Sequence, residues 1–173
     1  MRLRIGTAFL LLFSLAVLPG CPHDPYAHSY TSAKPSESDL VGTYLLSEES
    51  SRLVAERGGY EKRPASIILE DKGVLRFANV PDWWNTSFGK PGGQFDSAVG
   101  RWKVERKQDR WWALGITFPR ESPLASVGGS PVVFCAWIML VGERPPYVLH
   151  LSIGDPDEGD AMQFVKTARD KGR

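Results

Sequence analysis

The feature that most constrains this chain is a series of short stripes in which apolar residues recur at every second position, with turn residues between them. Ile67 and Leu69, then Leu75 and Phe77, share one parity on either side of Asp71-Lys72-Gly73. Trp112, Leu114, Ile116 and Phe118 form another stripe, as do Tyr147, Leu149, Leu151 and Ile153. Trp102 and Val104 alternate with Arg101, Lys103 and Glu105. A period of two sends one face into a core and the other toward water, the pattern of antiparallel strands with one buried side. Three hairpins follow from the turn chemistry. Asp71-Lys72-Gly73 joins strands at 66–70 and 74–80, and Lys107-Gln108-Asp109-Arg110 joins 100–106 to 111–118. Gly142-Glu143-Arg144-Pro145-Pro146 joins 131–141 to 147–153.

A first strand at Leu40–Leu46 and a last at Ala161–Lys166 bring the total to about eight. The expected fold is all-β: an up-and-down antiparallel meander closing into a small barrel, because closure removes exposed edges. A two-sheet sandwich satisfies the same alternation. One short helix is expected after the first strand. Ser47 caps it, Glu48 and Glu49 complement its positive end, Leu53 and Val54 form its apolar side, and Gly58-Gly59 ends it. The strand over 132–141 is apolar on both faces. Either the helix carrying Leu53 and Val54 covers its outer side, or that side is a partner surface.

Two resemblances concern address and fold. Arg2 and Arg4 precede an apolar run from Ile5 to Leu18, too short for a comfortable membrane span, and Leu18-Pro19-Gly20-Cys21 closes it. This resembles the signal peptide and lipobox of bacterial lipoproteins, although Pro19 is a less usual choice. The resemblance implies cleavage before Cys21 and lipid (diacylglycerol and an amide-linked acyl chain such as palmitate) on that residue. It divides the chain into a signal peptide at 1–20, the lipidated Cys21 with a flexible linker to 38, a domain over 39–167 and a tail over 168–173. The implied location is the cell envelope, lipid-anchored at a membrane. Pro22 after the cysteine, rather than aspartate, leans toward the outer membrane facing the periplasm over the inner membrane. The opening Leu40-Val41-Gly42-Thr43-Tyr44, followed by a short helix and a meander, is similar to small lipocalin-like or calycin-like barrels, with Tyr44 where a tryptophan is usual.

Loss of residues 1–20 would take away two arginines and no acid, turning the formal charge of +1 slightly negative. That balance offers no footprint for nucleic acid. Six tryptophans are many for this length, and most lie between Trp83 and Trp112. Trp83, Trp84 and Phe88 sit on the long loop 81–95, where they either stack on an apolar or glycan ligand at the barrel mouth or fold inward as a plug. Trp111 falls opposite in parity to Trp112 and is the candidate for contact with a partner.

Asp155, Asp157 and Asp160 in the run Asp155-Pro156-Asp157-Glu158-Gly159-Asp160 offer oxygen ligands for calcium, but the run departs from the calcium-loop pattern and suits a tight turn equally. Cys135 lies in an apolar run and reads as a buried thiol; a Cys21–Cys135 disulfide would exclude lipidation. No Ser, His and Asp grouping, no phosphate loop and no zinc cluster is present, so no catalytic residue and no cofactor is expected. His150 alternates with Leu149 and Leu151 and points away from their stripe. Two readings remain. One is a tethered, non-enzymatic binding module for a small apolar or glycan ligand. The other is an envelope protein–protein interaction factor (assembly, inhibitor or immunity type) with a filled core.

Overall fold

The computed structural model describes residues 24–86, 89–122, 124, 126–127, 130–131 and 134–168, with backbone alone at 126–127, 130–131 and 134–135. The segment expected as a signal peptide, Cys21, Phe88, the Cys135 side chain and all but the first residue of the expected 168–173 tail lie outside that description.

Eight antiparallel strands close into a barrel. In chain order the elements are α1 (Glu37–Leu40), β1 (Gly42–Leu46), α2 (Glu48–Glu56), β2 (Ser66–Glu70), β3 (Val74–Pro81) and β4 (Phe95–Lys107). They continue with β5 (Trp111–Phe118), the two-residue strands β6 (Ser126–Val127) and β7 (Ser130–Pro131), β8 (Phe134–Val141), β9 (Val148–Ser152) and β10 (Ala161–Lys166). Around the wall the order is β1-β10-β9-β8-β5-β4-β3-β2, so each barrel strand pairs with its neighbours in sequence and β10 returns to β1. β6 and β7 pair only with each other, inside the β5–β8 connection.

The register carries the apolar face unbroken around the barrel. Tyr44 stands opposite Ile67, Ile67 opposite Phe77, and Leu69 opposite Leu75. Trp102 then meets Ile116, Leu114 meets Ile138, Leu140 meets Leu149, and Leu149 meets Phe164. These side chains belong to one contiguous buried cluster. Gly100, opposite Leu75, makes room for a ring: a Cβ there would lie 2.8 Å from the Phe118 ring and 2.5 Å from the Thr117 carbonyl oxygen. The Asp71-Lys72-Gly73 turn holds Lys72 at φ 61 and Gly73 at φ 71, and Trp102 Nε1 donates to the Glu70 carbonyl beside it.

Strand boundaries moved where local capping won. The expected first strand starts at Gly42 rather than Leu40, because Ser36 accepts from the Asp39 amide and caps the single turn of α1. β4 begins at Phe95, earlier than the expected Gly100, through a bulge in β3: Phe77 pairs with Ala98 but Val80 with Asp96, and Asn79 sits at φ 52. α2 forms as its cap predicts, with Ser47 accepting from the Ser50 amide.

α2 does not lie over β8, correcting that expectation. Ser47 donates its amide to the Gln163 carbonyl and Ser50 Oγ accepts from the Gln163 amide, which fastens the helix to β10. The segment expected as a flexible linker covers part of β8 and β9 instead. The Thr31 amide donates to the Leu140 carbonyl, the Trp112 amide to the Thr31 carbonyl, and the Gly142 amide to the Ser29 carbonyl. Residues 29–31 thus bridge the ends of β5 and β8, where the two strands splay beyond their last pair, Ala113 and Met139. Thr31 is fully buried there and its Oγ1 donates to the Gly142 carbonyl. We call residues 24–31 the clasp.

Candidate functional site

The loop aromatics are drawn into one end of the barrel. A one-turn helix over Asp82–Trp84 turns Trp83 inward, where it is 4 % exposed and its Nε1 donates to the Gly89 carbonyl. Its ring stacks on Tyr60, and Tyr60 meets Phe95 edge-on. Trp84 is partly buried and packs edge-on against Phe77. The loop is also stapled by carboxylates. Asp82 accepts from the Tyr60 phenol at 2.6 Å and from the Gln94 amide at 3.3 Å, while Asp96 accepts from Asn85 Nδ2 at 2.9 Å. Burial, together with the nearby Asp82 charge, pushes the Asp96 carboxyl up to about 6, while the Trp84 and Asn85 side chains pull it back. Sequence reasoning missed this Tyr60–Asp82–Asp96 grouping, because its members come from three separate segments. Both carboxylates are engaged in fastening the loop.

The acidic turn is likewise used for structure. Asp155 accepts from the Asp157 amide and caps the turn Pro156–Glu158, and Gly159 ends it at φ 74. Asp160 forms an ion pair with Arg57 at 2.5 Å. Asp155, Asp157 and Asp160 are not drawn around one point, and among the described residues no group of three or more His, Cys, Asp or Glu side chains could hold a metal ion.

A different concavity lies on the outside of the wall. It is a recess of about 870 Å³, bounded by the clasp, the β4–β5 turn, the outer faces of β5 and β8, and the β9–β10 turn. Its apolar surface comes from Tyr30, Trp111, Trp137 and Met139. Trp111 is half-buried with Tyr30 edge-on at 5.5 Å, whereas Trp137 is 48 % exposed. Trp137 Nε1 donates to Glu105, and the Lys107 ammonium lies 3.4 Å from its ring centroid. The Arg110 guanidinium stands over Trp111 at 4.9 Å. Both tryptophans are therefore held on their outer side without being sealed off from water.

Beneath the clasp lies His150, 1 % exposed, with the Tyr26 ring at 4.5 Å and the Tyr30 ring at 5.6 Å. Its Nδ1 is buried and accepts or donates no hydrogen bond. Burial lowers its pKa to about 4, against a smaller opposing pull from Asp24. Asp24 is occupied by neutral donors, the Tyr26 amide and the Tyr30 phenol. Burial and Asp24 together push the Tyr30 phenol well above its ordinary range.

Of the residues singled out from sequence, Trp111 lines the recess, Trp83 and Trp84 belong to the plugged end, and Phe88 and Cys21 lie outside the described residues. Trp137, Met139 and Tyr30 were not singled out as site residues. For Trp137 and Met139 a signal existed, since the strand carrying them is apolar on both faces. Compared with protein-family models, with curated proteins and with solved structures, the chain finds no match.

Proposed function

We propose that this protein is a non-enzymatic interaction factor of the bacterial envelope, tethered through lipid on Cys21, that docks a partner protein in the outer recess. One observation carries the docking reading: the barrel interior is taken up by its own side chains, while Trp111, Trp137 and Met139 stay on an outside wall. A carrier of small ligands at the mouth would need loop aromatics that are available. Trp83 is instead spent on Tyr60 and the Gly89 carbonyl. The apolar lining with flanking charges suits a protein contact of modest size.

The tether rests on the lipobox-like Leu18-Pro19-Gly20-Cys21. Asp24 already belongs to the clasp, so the three-residue step from Cys21 spans at most about 10 Å of chain. The barrel would sit close to the bilayer.

A photo-crosslinking amino acid at position 137 of the full chain, expressed in bacteria, tests the docking reading. The expected result is a discrete protein adduct that the same probe at Val99 does not give; Val99 is equally exposed, at 50 %, elsewhere on the wall. Identical patterns at both positions, or none at 137, would remove the recess as a docking site. Mass spectrometry of the protein purified from membranes is expected to show a chain that begins at Cys21 and carries the mass of the lipid chains on it, a mass that Cys21→Ser lacks. An unmodified Cys21 would refute the anchor.

A further inference from the structure

We propose that the recess receives an extended segment of the partner protein, with a basic side chain at one end, apolar or aromatic side chains in the middle and an acidic side chain at the other. This rests on the docking reading above and names the chemistry of its partner.

The barrel topology sets the polarity. Lys107 and Arg110 lie on the β4–β5 turn, at the end of the barrel where β8 finishes and β9 begins. Asp155 and Asp157 follow β9, on the turn into β10, at the opposite end. Asp24, on the clasp, adds a third carboxylate to the recess. The recess therefore carries the Arg110 guanidinium at one end, over Trp111, and carboxylates toward the other, with Met139 and the Trp137 ring, on which the Lys107 ammonium lies, between.

Four of these five charges are not cancelled among the described residues. Among the described residues, Asp24, Asp155, Asp157 and Arg110 form no ion pair. The hydrogen bonds that Asp24 and Asp155 accept come from neutral donors. Lys107 lies over the Trp137 ring, with Glu105 nearby tempering its charge. A partner of the opposite order would meet complementary charge at both ends, around an apolar middle.

Shape narrows the occupant. From Met139 to Ala136 the strand covers about 10 Å, room for a few residues of extended chain alongside it. Anionic lipid headgroups would meet the carboxylates of Asp24, Asp155 and Asp157.

The test uses the full chain and three labelled peptides with blocked termini: Arg-Gly-Leu-Phe-Leu-Gly-Glu, and versions with arginine at both ends or glutamate at both ends. In anisotropy titrations the mixed peptide is expected to bind about tenfold tighter than either of the others. Lys107→Glu with Arg110→Glu should transfer that preference to the peptide with two arginines. Asp157→Lys, on an exposed turn, leaves Asp24 and Asp155 in place, should narrow the preference for the mixed peptide over the one with two glutamates, and serves if the double variant fails to fold. Equal affinity for the three peptides overturns the proposal, as does an unchanged preference in the variants. Tight binding to phosphatidylglycerol vesicles with no peptide binding, or self-association at the recess, overturns it as well. A discrete crosslinked adduct at position 137 without charge preference among the peptides would reject this partner chemistry and leave docking standing. Absence of both would reject the two together.

Discussion

His150 and Asp96 store opposite responses to pH at the residue scale. His150 is neutral beneath the tyrosine rings, with its folded pKa lowered from 6.5 to about 4. Between those values the unfolded chain binds the proton more readily than the folded one, so stability falls as pH drops from 6.5 toward 4. The loss is expected to reach about 2–3 kcal/mol and to fall first on the clasp that covers the ring. The protection factors of the Thr31 and Gly142 amides, taken against the intrinsic exchange rate at each pH, should fall on acidification, and His150→Phe should flatten that dependence. Unchanged protection factors between pH 7 and pH 5 would contradict the buried neutral imidazole.

Asp96 works the other way. Its folded pKa is raised from 3.8 to about 6, so its favourable contribution is complete below 3.8 and is lost as pH rises through 6. Asp96→Asn is therefore expected to stabilise the protein by about 1–2 kcal/mol at pH 7 and by little near pH 4. Denaturant midpoints at the two pH values give the check.

At the scale of elements, α2 and the clasp are held to the barrel by a few backbone contacts each. Ser50 Oγ accepts from the Gln163 amide at 2.9 Å, joining α2 to β10. Ser50→Ala leaves a part-buried amide without that acceptor and should cost about 1–2 kcal/mol, read as a lower midpoint. α2 was legible because its signals are local: a serine cap, acids in the first turn and glycines past the end. Its docking partner was not, since a helix with one apolar side can rest on any apolar surface within reach. Leu53 and Val54 gave no means of choosing between β8 and β10. The clasp was illegible for a related reason. Its residues lack a periodic apolar pattern, and they are ordered by backbone hydrogen bonds to strand ends that exist only once β5 and β8 have splayed apart.

For the whole molecule, the barrel separates what keeps it folded from what it offers to a partner. Phe118 is 1 % exposed and its ring meets Phe77 at 5.3 Å. Phe118→Ala is expected to cost about 3–5 kcal/mol through lost contact and a residual cavity. Trp137→Ala removes a side chain from the outer wall and should shift stability by no more than about 0.5–1 kcal/mol while weakening binding of the mixed peptide described above. Comparable destabilisation by the two changes would mean that Trp137 serves the fold rather than a partner.

The sequence alone determined the strands, their inward faces and the hairpin turns, because side-chain alternation and left-handed turn positions are properties of neighbours along the chain. Closure into a barrel rather than a two-sheet sandwich, which the same alternation allows, was decided by the tertiary structure, in which β10 pairs back to β1. The tertiary structure decided which aromatic residues are available. Trp83 and Trp111 both stand beside another tryptophan in polar surroundings, yet Trp83 is sealed against Tyr60 and Trp111 borders the outer recess. That difference depends on Tyr60, Gly89 and Tyr30, which folding brings to them from other segments or across a turn. It also depends on a clasp whose position is set by strands more than a hundred residues further on.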